Sequence, residues 1–411
     1  MELRTLLETW KEPGMLLLSI GTSNIGAWVY LLALNLLVLE MTHSPLAVAG
    51  LYLAKPAASL LTNLWSGSVI DRMNKRRLMI GLDVARAGVV ACLPFVSSLG
   101  AIYAAVMLIN MASSVFDPAS FVYTTKLVPK EQRKRFNALR SLVDSGAFLI
   151  GPAVAGVLFL IGTPTAAIYI NAAAFAFSGM VLVRMPNVEK KMDAQKMEVK
   201  VSFAVVMNDW KSVGRFSRKN ISVMSLFFLF SCVMVLSASI DSQEASFAKA
   251  VLLLSDAEYG FLVSVAGAGI ILGASVNALL VKKLRAEWLM GGGALFFSAG
   301  YAVYAFSTSF WMAATGFAVL AFAMAFANTG FQTYTQTHIP VGEMGRILSL
   351  YGFVEALLVI AATIAIGIAS HLFSIQAAVI AAAFLMGVLA IVVAFKCFNP
   401  VKQNAVEIVR R

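Results

Sequence analysis

Long apolar runs separated by short polar segments dominate this chain. Twelve runs approach or exceed the ~20 residues a helix needs to cross a hydrocarbon layer of ~30 Å. They cover 14–38, 46–66, 78–96, 101–125, 138–161, 165–184, 220–240, 257–281, 288–307, 310–335, 346–369 and 374–396. Barrel strands would instead alternate apolar and polar positions over ~10 residues. The pattern predicts an all-α membrane protein with twelve transmembrane helices.

The polar segments between the spans are not equivalent. With both termini placed inside, all but three of the 32 Lys and Arg fall on the inner side. The exceptions are Lys249 in an outer loop, and Lys55 and Arg86 within spans. Such a bias sets a topology with both termini cytoplasmic. Composition agrees: 60% of residues are apolar and 13% charged, against roughly 25% charged in soluble domains, and the mean hydropathy is +0.82. The net charge of +11 is spread over the inner loops. It therefore reads as orientation and attraction to anionic membrane lipid, not as a nucleic-acid surface. The first span is too long for the core of a cleavable signal. Cys92, Cys232 and Cys397, like His43, His338 and His371, show neither disulfide nor metal-ligand spacing, so no metal and no cofactor is expected. Without a Walker loop or His-Glu-x-x-His, the chain does not read as an enzyme, and an ion gradient is the expected energy source.

One polar loop carries a specific sequence. Between the second and third spans lies Gly67-Ser-Val-Ile-Asp71-Arg72-Met-Asn-Lys75-Arg76-Arg77. It resembles the loop signature of the major facilitator superfamily, Gly-x-Leu-Ala-Asp-Arg-x-Gly-Arg-Lys. Gly67, Asp71, Arg72, Lys75 and Arg76 match, while Val69, Ile70 and Asn74 stand for the Leu, the Ala and the second Gly. Asn tolerates a left-handed backbone better than most residues, so Asn74 is expected to preserve the turn. Gly67 is expected to let two helices approach closely.

The resemblance implies the major facilitator fold, with two pseudo-symmetric six-helix bundles, substrate bound between them, and a monomer. It also implies that Asp71 holds the inner side closed against neighbouring helix ends. Gly67, Asp71, Arg72, Lys75, Arg76 and Glu355 would then form a conformational gate.

The chain repeats itself. At a constant offset of 211 residues, Tyr123-Thr124 aligns with Tyr334-Thr335, Pro129 with Pro340, Arg135 with Arg346 and Leu139 with Leu350. The same offset relates Asp117 to Asn328, Asp144 to Glu355 and Gly156 to Gly367. A weaker echo at 206 pairs Gly67 with Gly273, Asp71 with Asn277 and Arg76-Arg77 with Lys282-Lys283. These matches predict a first bundle over 1–184, a linker over 185–219, a second bundle over 220–396 and a tail over 397–411. The linker, centred on the polar stretch 189–200, reads as a solvated cytoplasmic tether with an amphipathic helix around 203–213.

Ionisable residues within spans cost at least ~2.5–3.5 kcal/mol on insertion scales, so each needs a reason. Asp117 lies about 14 Å deep at ~1.5 Å per residue, with Ser120 and Thr124 on its face. Asp144 reaches a comparable depth. Both are candidates for proton coupling, because a desolvated carboxylate gains proton affinity. Asp83 and Arg86, three apart, read as a structural pair. Lys55 either snorkels or meets substrate. Asn24, Lys55, Ser120, Asn328 and Gln332 are candidate substrate-cavity residues, by resemblance to the helices that line the superfamily's cavity.

Gly151-Pro152-Ala-Val-Ala155-Gly156 resembles the superfamily's exporter motif Gly-Pro-x-x-Gly-Gly, with Gly151, Pro152 and Gly156 matching. Together with Pro129…Arg135-Phe-Asn137-Ala, it is most similar to bacterial macrolide-efflux drug/proton antiporters. The resemblance implies proton-coupled export of an amphipathic small molecule across the bacterial plasma membrane. Export of an endogenous metabolite such as a siderophore, uptake by symport, or a non-transporting receptor or scaffold are the other expectations.

Overall fold

The computed structural model describes residues 2–43, 45–161, 164–189 and 202–399. The centre of the predicted linker and nearly all of the predicted tail lie outside the described residues. Among those described, all regular structure is helical. In chain order the helices are α1 (Glu2–Thr42), α2 (Pro45–Arg72), α3 (Lys75–Cys92), α4 (Leu99–Leu127), α5 (Lys130–Ile161), α6 (Pro164–Arg184) and α7 (Phe203–Lys219). They continue with α8 (Ile221–Asp241), α9 (Glu244–Ala250), α10 (Asp256–Leu280), α11 (Ala286–Ala305), α12 (Phe310–His338), α13 (Met344–Leu372) and α14 (Ile375–Phe398). Each of the twelve apolar runs falls on one long helix. Ten of those helices are long and apolar enough to cross a membrane by length and composition, among the described residues. The other two, α2 and α11, are diluted by Lys55, Pro56 and Asn63 and by a Gly-rich start, respectively.

Several helices outrun their apolar cores. At ~1.5 Å per residue, the 32 residues of α5 extend roughly 48 Å, well beyond a ~30 Å hydrocarbon layer. Its first turns carry Lys130, Arg133, Lys134, Arg135 and Arg140, which is why hydropathy places its start late.

The chain forms two compact units. The first comprises residues 1–130, 143–213 and 339–356, and the second 131–142, 214–338 and 357–411. The segments 131–142 and 339–356, which leave their sequence neighbours, overlap under the 211-residue offset. Helix pairings recur as well. In the first unit α1 meets α6, α3 meets α6 and α4, and α2 meets α4. The corresponding pairs α8–α14, α11–α14, α11–α12 and α10–α12 organise the second.

Apolar layers fill each unit. Val29, Leu34, Val90, Ile102, Ile168 and Phe175 are buried together in the first. Phe247, Phe297, Tyr301, Tyr304 and Phe317 form the aromatic centre of the second. Without a hydrophobic drive between helices in lipid, close approach through small residues supplies packing. A polar network crosses the first core. Arg86 pairs with Asp83, which is fully buried. Ser178 Oγ donates to Asp83 Oδ2 at 2.6 Å and meets Ser19 Oγ at 2.8 Å. The Arg86 guanidinium lies over the rings of Phe116 and Phe175, 4.2 and 4.4 Å from their centroids. The pair thus ties α1, α3, α4 and α6 together. Arg86→Ala would strand a buried carboxylate and should destabilise the protein by about 3–5 kcal/mol, read as an earlier unfolding transition in detergent; an unchanged transition would rule out this structural role.

Candidate functional site

The loop signature divides its labour. Asp71, at the end of α2, is turned to the first turn of α13. Its Oδ1 accepts from the Gly345 backbone N–H at 2.9 Å, and its Oδ2 from the Arg346 N–H at 3.2 Å and Nε at 3.0 Å. A helix N-terminus offers unpaired N–H groups and a positive dipole end, so a carboxylate is well placed there. Gly67, one turn earlier on α2, makes the approach possible: a Cβ there would lie 2.4 Å from the Arg346 Cα. Ser66 Oγ donates to Ser349 Oγ at 3.1 Å along the same seam.

Arg72 points elsewhere, to a residue that motif reasoning passes over. Its guanidinium donates to both oxygens of Asp209 in α7, at 2.5 and 2.9 Å, and Arg346 Nη1 reaches Asp209 Oδ1 at 3.0 Å. Asp209 thereby joins two arginines while its side chain is only 6% exposed. Next to it, Trp210 Nε1 donates to the Leu64 carbonyl at 3.0 Å, and its ring meets Phe353. The amphipathic helix expected around 203–213 is present and runs to Lys219, but it is packed where a solvated tether was expected, with Asp209 and Val213 buried on one face. The sequence signal was present, since Asp209 is the lone acid in an otherwise basic segment and shares a face with Val213.

The rest of the signature anchors the start of the linker. Lys75 and Lys126 converge on Glu189, at 3.4 and 2.6 Å. Arg76 donates to the Met185 carbonyl at 2.7 Å, and Asn74 Nδ2 to Asn187 Oδ1 at 2.8 Å. Asn74 is not left-handed as expected. Its φ of −65° is extended backbone, and its Oδ1 caps α3 by accepting from the Arg77 N–H. The Asn thus serves as an N-cap. The weaker echo in the second repeat does different work. Asn277 Nδ2 donates to Thr329 Oγ1 at 2.7 Å, binding α10 to α12.

Electrostatics separate the two latch carboxylates. Burial lifts Asp71 to about 6, against the pull of Arg346, Lys75 and the two backbone donors. Burial would also raise Asp209, but the hydrogen bonds from Arg72 and Ser68 and the charge of Arg346 outweigh it and hold that carboxyl below its ordinary value. The two carboxyls are thus shifted in opposite directions.

The other candidate residues take varied positions. Asp117, expected to be desolvated, is instead exposed on α4 and makes no hydrogen bond or ion pair among the described residues. Below it Ser120 and Thr124 are each 1% exposed, with hydroxyls lacking a partner. Asp144 is half-buried and accepts from Asn24 Nδ2 at 2.7 Å. Glu355 is half-buried on α13, beyond the turn that meets Asp71. Lys55 is exposed. Gly151 allows α5 to approach α1, since a Cβ would fall 2.4 Å from Trp28 Cβ, whereas Gly156 faces open space and Pro152 is exposed. In the second unit Asn328 and Gln332 are half-buried, and Gln332 Oε1 is buried without a partner. The neighbouring polar residues of α12 are committed to α5: Asn137 Nδ2 donates to Thr333 and Gln336, and Arg133 to the Gln336 carbonyl at 2.8 Å.

This architecture has known counterparts. A profile described as Major Facilitator Superfamily matches residues 16–252 and 245–408, and the chain belongs to that superfamily of membrane transporters. The uncharacterized MFS-type transporter YfiS of Bacillus subtilis (strain 168) is 25% identical over 363 residues, covering 84% of this chain and 83% of YfiS. Among solved structures, the human organic anion transporter MFSD10 (TETRAN) superposes with a TM-score of 0.77 at 15% identity, covering 94% of this chain and 99% of that one. A bacterial homologue of the iron transporter ferroportin, in an outward-facing state, gives 0.74 at 16% identity, with 94% and 99% covered. FucP in the outward conformation gives 0.67 at 13%, with 92% and 97% covered. Those structures share the fold with this chain across very different cargoes, so the fold alone does not name a substrate.

Two expectations follow from the latch. With the other tryptophans replaced by phenylalanine, Asp209→Asn should shift the Trp210 emission to the red as α7 loosens; an unshifted spectrum would show that α7 is held without the arginines. The pH dependence has a definite sign. Asp71 titrates near 6 when latched and would return toward ~3.9 in water, so the latched form binds its proton more tightly. Acidification from pH 7.5 to 5.5 should therefore favour the latched form. Pulsed EPR between labels at exposed Met73 and Gly342 should report shorter distances at the lower pH, and Asp71→Asn should remove that dependence. Longer distances at low pH would reverse the assignment.

Proposed function

We propose that this protein is a proton-coupled antiporter that exports an amphipathic small molecule, of macrolide or multidrug type, by alternating access. In this reading the chain sits in a bacterial plasma membrane with both termini cytoplasmic, and acts as a monomer. Residues 1–184 and 220–396 are its two moving bundles. The contacts of Asp71, Arg72, Arg346 and Asp209 form the cytoplasmic latch, made in one state and broken in the other. A ligand or proton moves such an equilibrium only through its differential affinity for the two states.

The observation that carries the coupling assignment is Asp117. An ionisable group inside an apolar helix without a partner is a functional site by default. Asp117 is exposed, unpartnered among the described residues, and stands above two orphan hydroxyls. Asp144, held by Asn24, is the second candidate. Asn24, Lys55, Ser120, Asn328 and Gln332 would line the substrate path, with walls drawn from 28 Phe and 19 Met that suit varied amphipathic cargo. Export rather than uptake rests on the Gly151-Pro152 motif. Because Ala155 replaces one closing glycine and Gly156 faces open space, uptake by symport is the second reading, and an endogenous metabolite such as a siderophore the alternative cargo.

Everted vesicles energised to an inside-acid gradient test this directly. Addition of a macrolide, a cationic dye or a siderophore should dissipate the gradient, and Asp117→Asn should reduce that response to the level of empty vesicles. A variant that dissipates the gradient normally would remove Asp117 from the coupling mechanism.

A further inference from the structure

A second pair of carboxylates lies in the second unit, beside its aromatic centre. Asp241 closes α8 and Glu244 opens α9. The intervening Ser242 and Gln243 turn the chain so that both acids meet tyrosines. Tyr301 Oη of α11 donates to Asp241 Oδ1 at 2.7 Å. Tyr259 Oη of α10 donates to Glu244 Oε1 at 3.1 Å. A third hydroxyl, Tyr304 Oη, is buried without any hydrogen-bond partner, on a residue only 1% exposed. Its ring is held by Phe247 and Phe317, and Glu244, Asp241 and Tyr259 are the charged and titratable groups that act on it.

No cation balances this pair among the described residues. Lys249, on α9, donates its ammonium to the Leu254 carbonyl at 3.1 Å. Glu258, on α10, is turned to the Ser255 cap. The parts of α12 and α14 in the same core contribute apolar side chains such as Phe317, Val379 and Met386. Asp241 is exposed, whereas Tyr301 beneath it is 3% exposed. The site is open at one edge and closed by aromatic hydroxyls at the other.

Neighbouring carboxylates that lack a counter-ion cannot both stay ionised at low cost, and the cheapest remedy is a shared proton. No group of three or more His, Cys, Asp or Glu that could hold a metal ion occurs among the described residues, so a proton fits better than a multivalent cation. We infer that Asp241 and Glu244 form a proton-binding site, loaded at the exposed edge of Asp241 and hydrogen-bonded to Tyr301 and Tyr259. The proton adds to a carboxylate oxygen and no other bond changes. Consistent with this, burial pushes the Glu244 carboxyl above its ordinary range against the hydrogen bond from Tyr259. This site does not depend on the role proposed for Asp117, and its test requires no substrate.

Infrared difference spectra between pH 8 and pH 5, taken on the full-length protein in lipid nanodiscs, read protonated carboxyl groups directly. A band from the pair should lose intensity in Asp241→Asn, move in frequency in Asp241→Glu, and remain in Asp117→Asn. Glu244→Gln should lower the titration midpoint by removing the like charge. Tyr301→Phe, a milder change, should raise it by about half to one pH unit as one hydrogen bond to the ionised form is lost. A spectrum unchanged in Asp241→Asn, Glu244→Gln and Tyr301→Phe alike would overturn the site. Loss of a band only in Asp117→Asn would also overturn it, while leaving the coupling role of Asp117 intact.

Discussion

A buried carboxylate set against the opening turn of a helix is the interaction around which the characteristic loop is organised. Asp71 needs the α13 backbone within hydrogen-bond reach, which in turn requires glycine at 67. Bringing that turn close also brings Arg346, and Arg72 follows Asp71 in sequence. One carboxylate facing two guanidinium groups would leave a buried positive charge, and such an imbalance is costly. Asp209 supplies the second negative charge from α7. The position of α7 is thus a consequence of charge balance at the loop. Elsewhere in the loop, Lys75 and Lys126 share the single carboxylate of Glu189, and Lys75 Nζ also donates to the Asp71 carbonyl at 3.3 Å.

Much of this was legible in the sequence, because the relevant signals are local. Apolar run length located the twelve long helices, since a hydrocarbon layer leaves the backbone few other options. The loop signature located Asp71 and Gly67, because their spacing survives as a short word. What escaped was long-range or masked. The contact between Arg72 and Asp209 spans 137 residues and has no periodicity to betray it. The first turns of α5 are so densely charged that hydropathy hides their helicity. Asn74 was assigned the job of the glycine it replaces, whereas it solves the loop by capping. For Asp117, helical spacing groups it with Ser120 and Thr124 but does not reveal that Asp117 itself is exposed while those two are buried.

Ionisable residues inside this protein fall into distinct kinds according to what surrounds them. Asp83 is locked by Arg86 and Ser178 and has no freedom to change charge cheaply. Asp144 accepts from a neutral amide, Asn24. Asp117 meets no partner among the described residues, and Asp241 meets only a phenol. A residue that must gain and lose a proton cannot also be an obligatory half of an ion pair. By that criterion Asp241 escapes the arginine pairing that locks Asp83.

The anchoring of both ends of the linker changes how long that linker effectively is. Asn187 and Glu189 are fastened to the start of α3, and Asp209 and Trp210 to α2 and α13, so both described ends of the linker belong to the first unit. The chain then enters the second unit at Gly214, inside α7 and without a loop. For two joined bodies, effective concentration depends on tether length and stiffness. A crossing held in a helix has no slack to lose, unlike a flexible loop, whose closure costs entropy. Residues inserted after Gly214 would have to break α7 before they could add any.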